Sequence, residues 1–165
     1  YSMIDQKLEK RAIDQFVKKM EPSKIYLLEK DGPGIKKMLS GIIRKTRNKD
    51  CTPVQSAFLL LQKRVGERVA FAKKFLGKKY KLNKKASLIL DSKKKKRSRS
   101  VAEANKNQKN YLHFQVANIV STDVVLKEAK EQVIRGYERV FRRVKERKES
   151  DRYVFFIDAF PIFRS

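Results

Sequence analysis

The residues most able to do chemistry lie in one run, Lys93-Lys94-Lys95-Lys96-Arg97-Ser98-Arg99-Ser100. Lys93, Lys94, Lys95, Lys96, Arg97 and Arg99 are the candidate contacts for a polyanion, because clustered cations recognise phosphates and other anions. From Lys73 to Ser100 there are 13 Lys/Arg against the single acid Asp91, so this stretch holds half the net charge of the chain. The same run fits a solvated loop in a lysine-rich protein, or a localisation signal. Binders of single-stranded nucleic acid interleave aromatic rings with their cations, so that bases can stack. No aromatic residue falls between Lys81 and Lys109.

Other reactive groups are sparse. His113 is the only histidine and Cys51 the only cysteine. A disulfide framework, a thiolate zinc site and a multi-histidine metal site are therefore excluded. His113 lies in Tyr111-Leu112-His113-Phe114-Gln115, between aromatics on a helical stretch, and reads as a packing or surface residue. Cys51 precedes a helix start, where the dipole and Lys49 favour a thiolate. With no histidine near it in sequence, it reads as structurally neutral. Asp5 and Asp14 lack the spacing of an acid–base pair. No nucleophile elbow, phosphate-binding glycine loop, dinucleotide fingerprint or zinc-protease helix occurs. The expectation is no catalytic residue, no metal and no cofactor, and no activity from this chain alone.

The elements that must position these groups follow from composition and periodicity. The chain has 165 residues, 42 Lys/Arg against 18 Asp/Glu, a net charge of +24 and 41% apolar residues. That is enough for a single cored domain and too apolar for full disorder. The charge attracts polyanions in general. No stretch reaches the ~18 apolar residues of a membrane span. The chain shows no signal peptide and starts at Tyr1, which fits a processed or excised segment and leaves the compartment unread.

Ile4, Leu8, Ala12, Phe16 and Met20, with Ile13 and Val17, form the stripe of an amphipathic helix that Pro22 ends. Asp31-Gly32-Pro33-Gly34 reads as a turn. A second helix carries Ile35, Met38, Leu39, Ile42 and Ile43 on one face. A third starts with Thr52 as cap and Pro53 in the first turn. Its stripe runs through Val54, Phe58, Leu61, Val65, Val69, Ala72 and Leu76 to Gly77, with Arg64, Glu67 and Arg68 off the apolar side. A basic linker at about 78–107 precedes a helix over Tyr111–Val120. A long helix then reaches about Arg147, and Ser150 caps a last one from Asp151 to Phe160. The fold class is all-α: a five- to six-helix, bundle-like single domain over 1–165 with one long basic loop.

Between Val154 and Phe163 only Asp158 is polar. A helix apolar on both faces is either buried centrally or made to be covered by another domain. Phe155, Phe156, Phe160, Ile162 and Phe163 are the candidate domain-docking residues, with segment 151–163 expected to dock on a missing domain.

Several stretches, in order, resemble one family. Ile13 to Asp31, with Glu21-Pro22-Ser23-Lys24-Ile25-Tyr26 at its centre, looks like the "D-P-S-K-x-Y" region at the start of tail-specific (carboxy-terminal processing) proteases. Arg64-Val65-Gly66-Glu67-Arg68-Val69 is similar to that family's "R-V-x-E-R-V" helix. Leu112-His113-Phe114-Gln115, Glu128-Ala129-Lys130 and Arg135-Gly136-Tyr137-Glu138-Arg139 look like its next two helices, and Asp158-Ala159-Phe160 resembles the "N-A-F" before the PDZ portion. Glu21 departs from the family's Asp. The resemblance implies a non-catalytic N-terminal helical domain that scaffolds a serine (Ser–Lys) protease and contacts substrate or an adaptor. Its implied partners are a PDZ and protease portion or an adaptor protein, and its implied location is the periplasm or cell envelope, with cytoplasm the alternative. No catalytic residue is carried over. The alternative function is a basic helical nucleic-acid-binding protein.

Overall fold

A computed structural model describes residues 3–85 and 94–148. Lys93, the segment 151–163 with its five candidate docking residues, and the expected last helix lie outside the described residues. Among the described residues the chain is all helical: α1 (Met3–Met20), α2 (Asp31–Met38), α3 (Ile42–Arg47), α4 (Thr52–Phe75), α5 (Val101–Val120) and α6 (Leu126–Lys148).

Helix α4 is the spine. Its N-terminal half packs with α1, α2, α3 and Val144 of α6 around Phe16, Phe58, Ile35, Leu39 and Ile42. Its C-terminal half packs with α5 and the start of α6 around Leu112, Val116, Ala129 and Tyr137. Because the start of α6 meets the end of α4, and the end of α6 meets its start, the two helices run antiparallel. Phe16 and Phe58 meet edge to face with centroids 5.6 Å apart. Each such side chain contributes about 1.5–3 kcal/mol by leaving water. Gly66 faces α6, where a Cβ would lie 3.4 Å from the Phe141 ring.

Four details differ from the sequence pattern. Leu8 is exposed and Glu9 is buried in its place. The Glu9 carboxylate accepts from the backbone N–H of Gly41 (2.7 Å) and of Ile43 (3.2 Å), which satisfies the amino end of α3. The expected second helix is two, broken at Gly41, whose φ of 77° reverses the chain so that Leu39 and Ile42 both reach the core. Asp31-Gly32-Pro33-Gly34 is the first turn of α2 rather than a free turn. Pro33 is tolerated there because first-turn N–H groups have no intrahelical partner. Finally, α5 begins at Val101, inside the expected linker. Ser100 accepts from the Glu103 N–H (3.2 Å) and Glu103 accepts from the Arg99 N–H (2.8 Å).

Candidate functional site

The basic run is tied down by a carboxylate far away in sequence. Where α1 ends, Pro22 turns the chain and Lys24 enters the left-handed region at φ 55°. Glu21, buried, gathers this loop. Its carboxylate accepts from the Ser23 hydroxyl, from the backbone N–H of Ile25 (3.1 Å) and of Leu27 (3.4 Å), and from the Arg97 guanidinium. Arg97 also donates to the Glu21 carbonyl (2.8 Å). The junction continues outward: Glu29 N–H donates to Ser98 O (2.9 Å), Asn107 donates to the buried Ser98 hydroxyl (3.0 Å), and Lys24 Nζ donates to Lys95 O (3.1 Å).

A second buried joint holds α2 to α4. Arg64 grips Asp31 with two parallel bonds, Nε to Oδ2 at 2.8 Å and Nη2 to Oδ1 at 3.1 Å. Asp31 also accepts from the Leu28 N–H (2.8 Å), and Glu67 lies 3.2 Å from the same guanidinium. Hydrogen bonding to the Asp31 carboxylate outweighs burial and holds the Arg64 pKa above its ordinary value. One turn on, Arg68 donates to Gln108 Oε1 (3.0 Å) while Gln108 returns a bond to the Arg68 carbonyl (2.8 Å), tying α4 to α5. Arg64 and Arg68 are therefore buried although they fall off the apolar stripe of α4.

The candidate polyanion residues divide. Arg97 is committed to Glu21. Lys95 is half-buried, its ammonium 5.2 Å from the centre of the Tyr111 ring. Burial pulls its pKa down, with Lys24 in the same sense and Glu21 opposing. Lys94, Lys96 and Arg99 are exposed, and Arg99 leans on Glu103 at 3.5 Å. Lys24, Lys94, Lys95, Lys96, Asn107 and Tyr111 line a cleft of about 420 Å³. From Lys94 to Ser100 the run is thus an anchored strap, not simply a solvated loop.

A second basic cleft, of about 560 Å³, opens between the end of α4, the loop after it and α5. Phe71 and Phe75, one turn apart, lie with their planes at 9° and centroids at 5.9 Å. Tyr80 and His113 meet Phe75 edge-on at 5.5 and 5.2 Å. Lys74, Lys79, Lys81 and Lys109 surround these rings. His113 Nδ1 accepts the Asn83 N–H (3.2 Å) and lies 2.9 Å from the Tyr80 hydroxyl, which places the imidazole proton on Nε2. Burial lowers the His113 pKa, keeping the ring neutral.

Among the described residues no group of three or more His, Cys, Asp or Glu could hold a metal, and no helix is long and apolar enough to cross a membrane. The lone Cys51 is buried.

A family model described as tail specific protease N-terminal domain matches residues 1–161. The chain belongs to this family. No curated protein matches it. In this tail-specific protease N-terminal domain, six of the motif positions named above are structural joints. Glu21, Arg64 and Arg68 hold the buried junctions just described. Lys130 donates to the Gly77 carbonyl (3.3 Å), and Glu138 pairs with Lys73 (2.7 Å), so both join α6 to the end of α4. Tyr137 is buried, donates to Gln115 (3.3 Å), and is held protonated by that burial. Asp158-Ala159-Phe160 lies outside the described residues.

Sequence reasoning missed the ring-floored cleft because its parts are separated along the chain: Phe71 and Phe75 precede the basic run, His113 follows it. It also missed Gln108 as a core residue. The Ser100–Glu103 pair was a readable helix-start signal.

Proposed function

We propose that this chain is the non-catalytic helical scaffold of a tail-specific serine protease, contacting polypeptide substrate or an adaptor while the peptide-bond chemistry belongs to PDZ and Ser–Lys regions. One observation carries the reading. Of the described residues that match the family's motifs, Glu21, Arg64, Arg68, Lys130, Tyr137 and Glu138 are taken up in joints between elements, as befits a rigid platform. The sole imidazole is packed in an aromatic cluster and the sole thiol is buried. The apolar segment with Phe155, Phe156, Phe160, Ile162 and Phe163 supplies, on this reading, the docking surface for the protease portion. Within the basic strap Lys94, Lys96 and Arg99 are the members open to a polyanion.

The test has two arms. The chain incubated with a C-terminally tagged polypeptide is expected to leave it intact; cleavage that survives re-purification would sink the non-catalytic role. Limited proteolysis with mass spectrometry of the natural gene product is expected to release this domain from a larger chain. A natural product ending at Ser165 would remove the protease portion it is meant to support.

A further inference from the structure

We infer that the ring-floored cleft at the end of α4 is a docking site for an acidic peptide segment carrying an aromatic or large aliphatic side chain between its carboxylates. This deepens the reading above, since it names the chemistry of the polypeptide that the domain contacts.

Charge complementarity is the first argument. Lys74, Lys79, Lys81 and Lys109 converge on one cleft, and none of the described residues lining it is a carboxylate. A larger cleft, about 690 Å³ beside α1 and α3, is built otherwise: Glu9 and Asp14 sit among its cations, and Lys36 pairs with Asp14 at 2.9 Å. Cations there are balanced by the fold; around the rings, the described lining supplies no counter-charge. Four ammonium groups over a low-dielectric floor raise a focused positive potential that an anionic ligand relieves.

The floor is the second argument. Phe71, Phe75 and His113 are half-buried, so apolar ring surface faces the cleft mouth. Covering it with an apolar side chain is favourable, and about 560 Å³ admits one large side chain with its neighbours.

The ring geometry favours a peptide over a nucleic-acid strand. Base stacking needs an open ring face, which the near-parallel planes of Phe71 and Phe75 do not by themselves supply. Here Phe75 carries Lys109 over its face at 6.0 Å, and Tyr80 and His113 against it edge-on. Phe71 carries Arg68 at 5.6 Å. What remains is an irregular floor that a flexible side chain can fill and a flat base cannot.

Fluorescence anisotropy on the whole chain tests this with a short labelled peptide, Glu-Asp-Phe-Asp-Glu. The peptide is expected to bind, and replacing its Phe by Ser to weaken binding by about tenfold. The charge reversals Lys79→Glu with Lys109→Glu, both exposed and checked for folding by circular dichroism, are expected to weaken it by at least about tenfold. Lys94→Glu with Lys96→Glu, on the other cleft, is expected to change it by less than about twofold. Equal loss in both double variants, or equal affinity for the Ser peptide, would reduce the site to non-specific charge and overturn the proposal. Tighter binding of a single-stranded oligothymidine of equal charge, lost in the Lys79/Lys109 variant, would reassign the cleft to nucleic acid. Either failure leaves the cleavage and proteolysis tests of the domain's role unaffected.

Discussion

Two parts of the molecule use the same cationic side chains in opposite ways. At the junction of the 21–29 loop with the basic strap, Arg97 is drawn inward onto Glu21, just as Arg64 is drawn onto Asp31. At the end of α4, Lys74, Lys79, Lys81 and Lys109 stay at the surface around a floor of rings. The difference lies in the carboxylate. Where the fold delivers a buried acid that already accepts backbone N–H bonds, an arginine becomes structural, because the planar guanidinium completes the acid's coordination in paired bonds. Where it delivers aromatic rings instead, the lysines stay exposed, Lys109 with its ammonium 6.0 Å from the centre of the Phe75 ring.

The largest expected effect breaks the inward-facing side. Arg64→Ala strands the buried Asp31 carboxylate, and chemical denaturation should show a loss of about 3–5 kcal/mol. A loss under about 1 kcal/mol would mean that water replaces the guanidinium and that the joint is not structural. Arg97→Ala should cost less, about 2 kcal/mol, since the side chain is 18% exposed and Glu21 keeps its backbone donors. Heparin retention should separate it from Lys94→Ala with Lys96→Ala, which should elute earlier with stability changed by no more than about 0.5 kcal/mol.

Gly66→Ala sharpens the comparison from the packing side. Its Cβ would meet the Phe141 ring at ordinary contact distance, so the gain in helix propensity should dominate, about 0.5–1 kcal/mol of stabilisation by thermal melt. Destabilisation would show that the Phe141 ring cannot yield to the added methyl group.

The smallest effect concerns acid. His113 has its pKa lowered by burial, so the unfolded chain takes up the proton first. Its contribution is complete above about pH 6.5 and is lost as pH falls through the folded value. Melting at about pH 7.5 and about pH 5 should therefore show a drop in Tm that narrows in His113→Gln. An unchanged drop would place the acid sensitivity elsewhere.

Much of the scaffold was legible from the chain. The four-and-three spacing of Val54, Phe58, Leu61 and Val65 fixed the spine, and Ala129, Val133, Tyr137 and Val144 fixed the inward face of α6. The first half of α5 was not, because its packed residues are Ala104 and Gln108. Neither carries the large apolar group that periodicity detects, and Gln108 is buried only because Arg68 meets both ends of its amide. Glu9 displaced Leu8 from the core for a similar reason: the start of α3 required an acceptor.

Helix identity, the all-α class and the family were written in local patterns, since periodicity, caps and short motifs act within a few turns of chain. Which cations became structural was decided only in three dimensions. The worth of a charge depends on what faces it, and Arg97 finds its acid 76 residues away while Lys109 meets a ring on another helix. Coulomb energy and desolvation are set by spatial neighbours, and no stretch of sequence contains them.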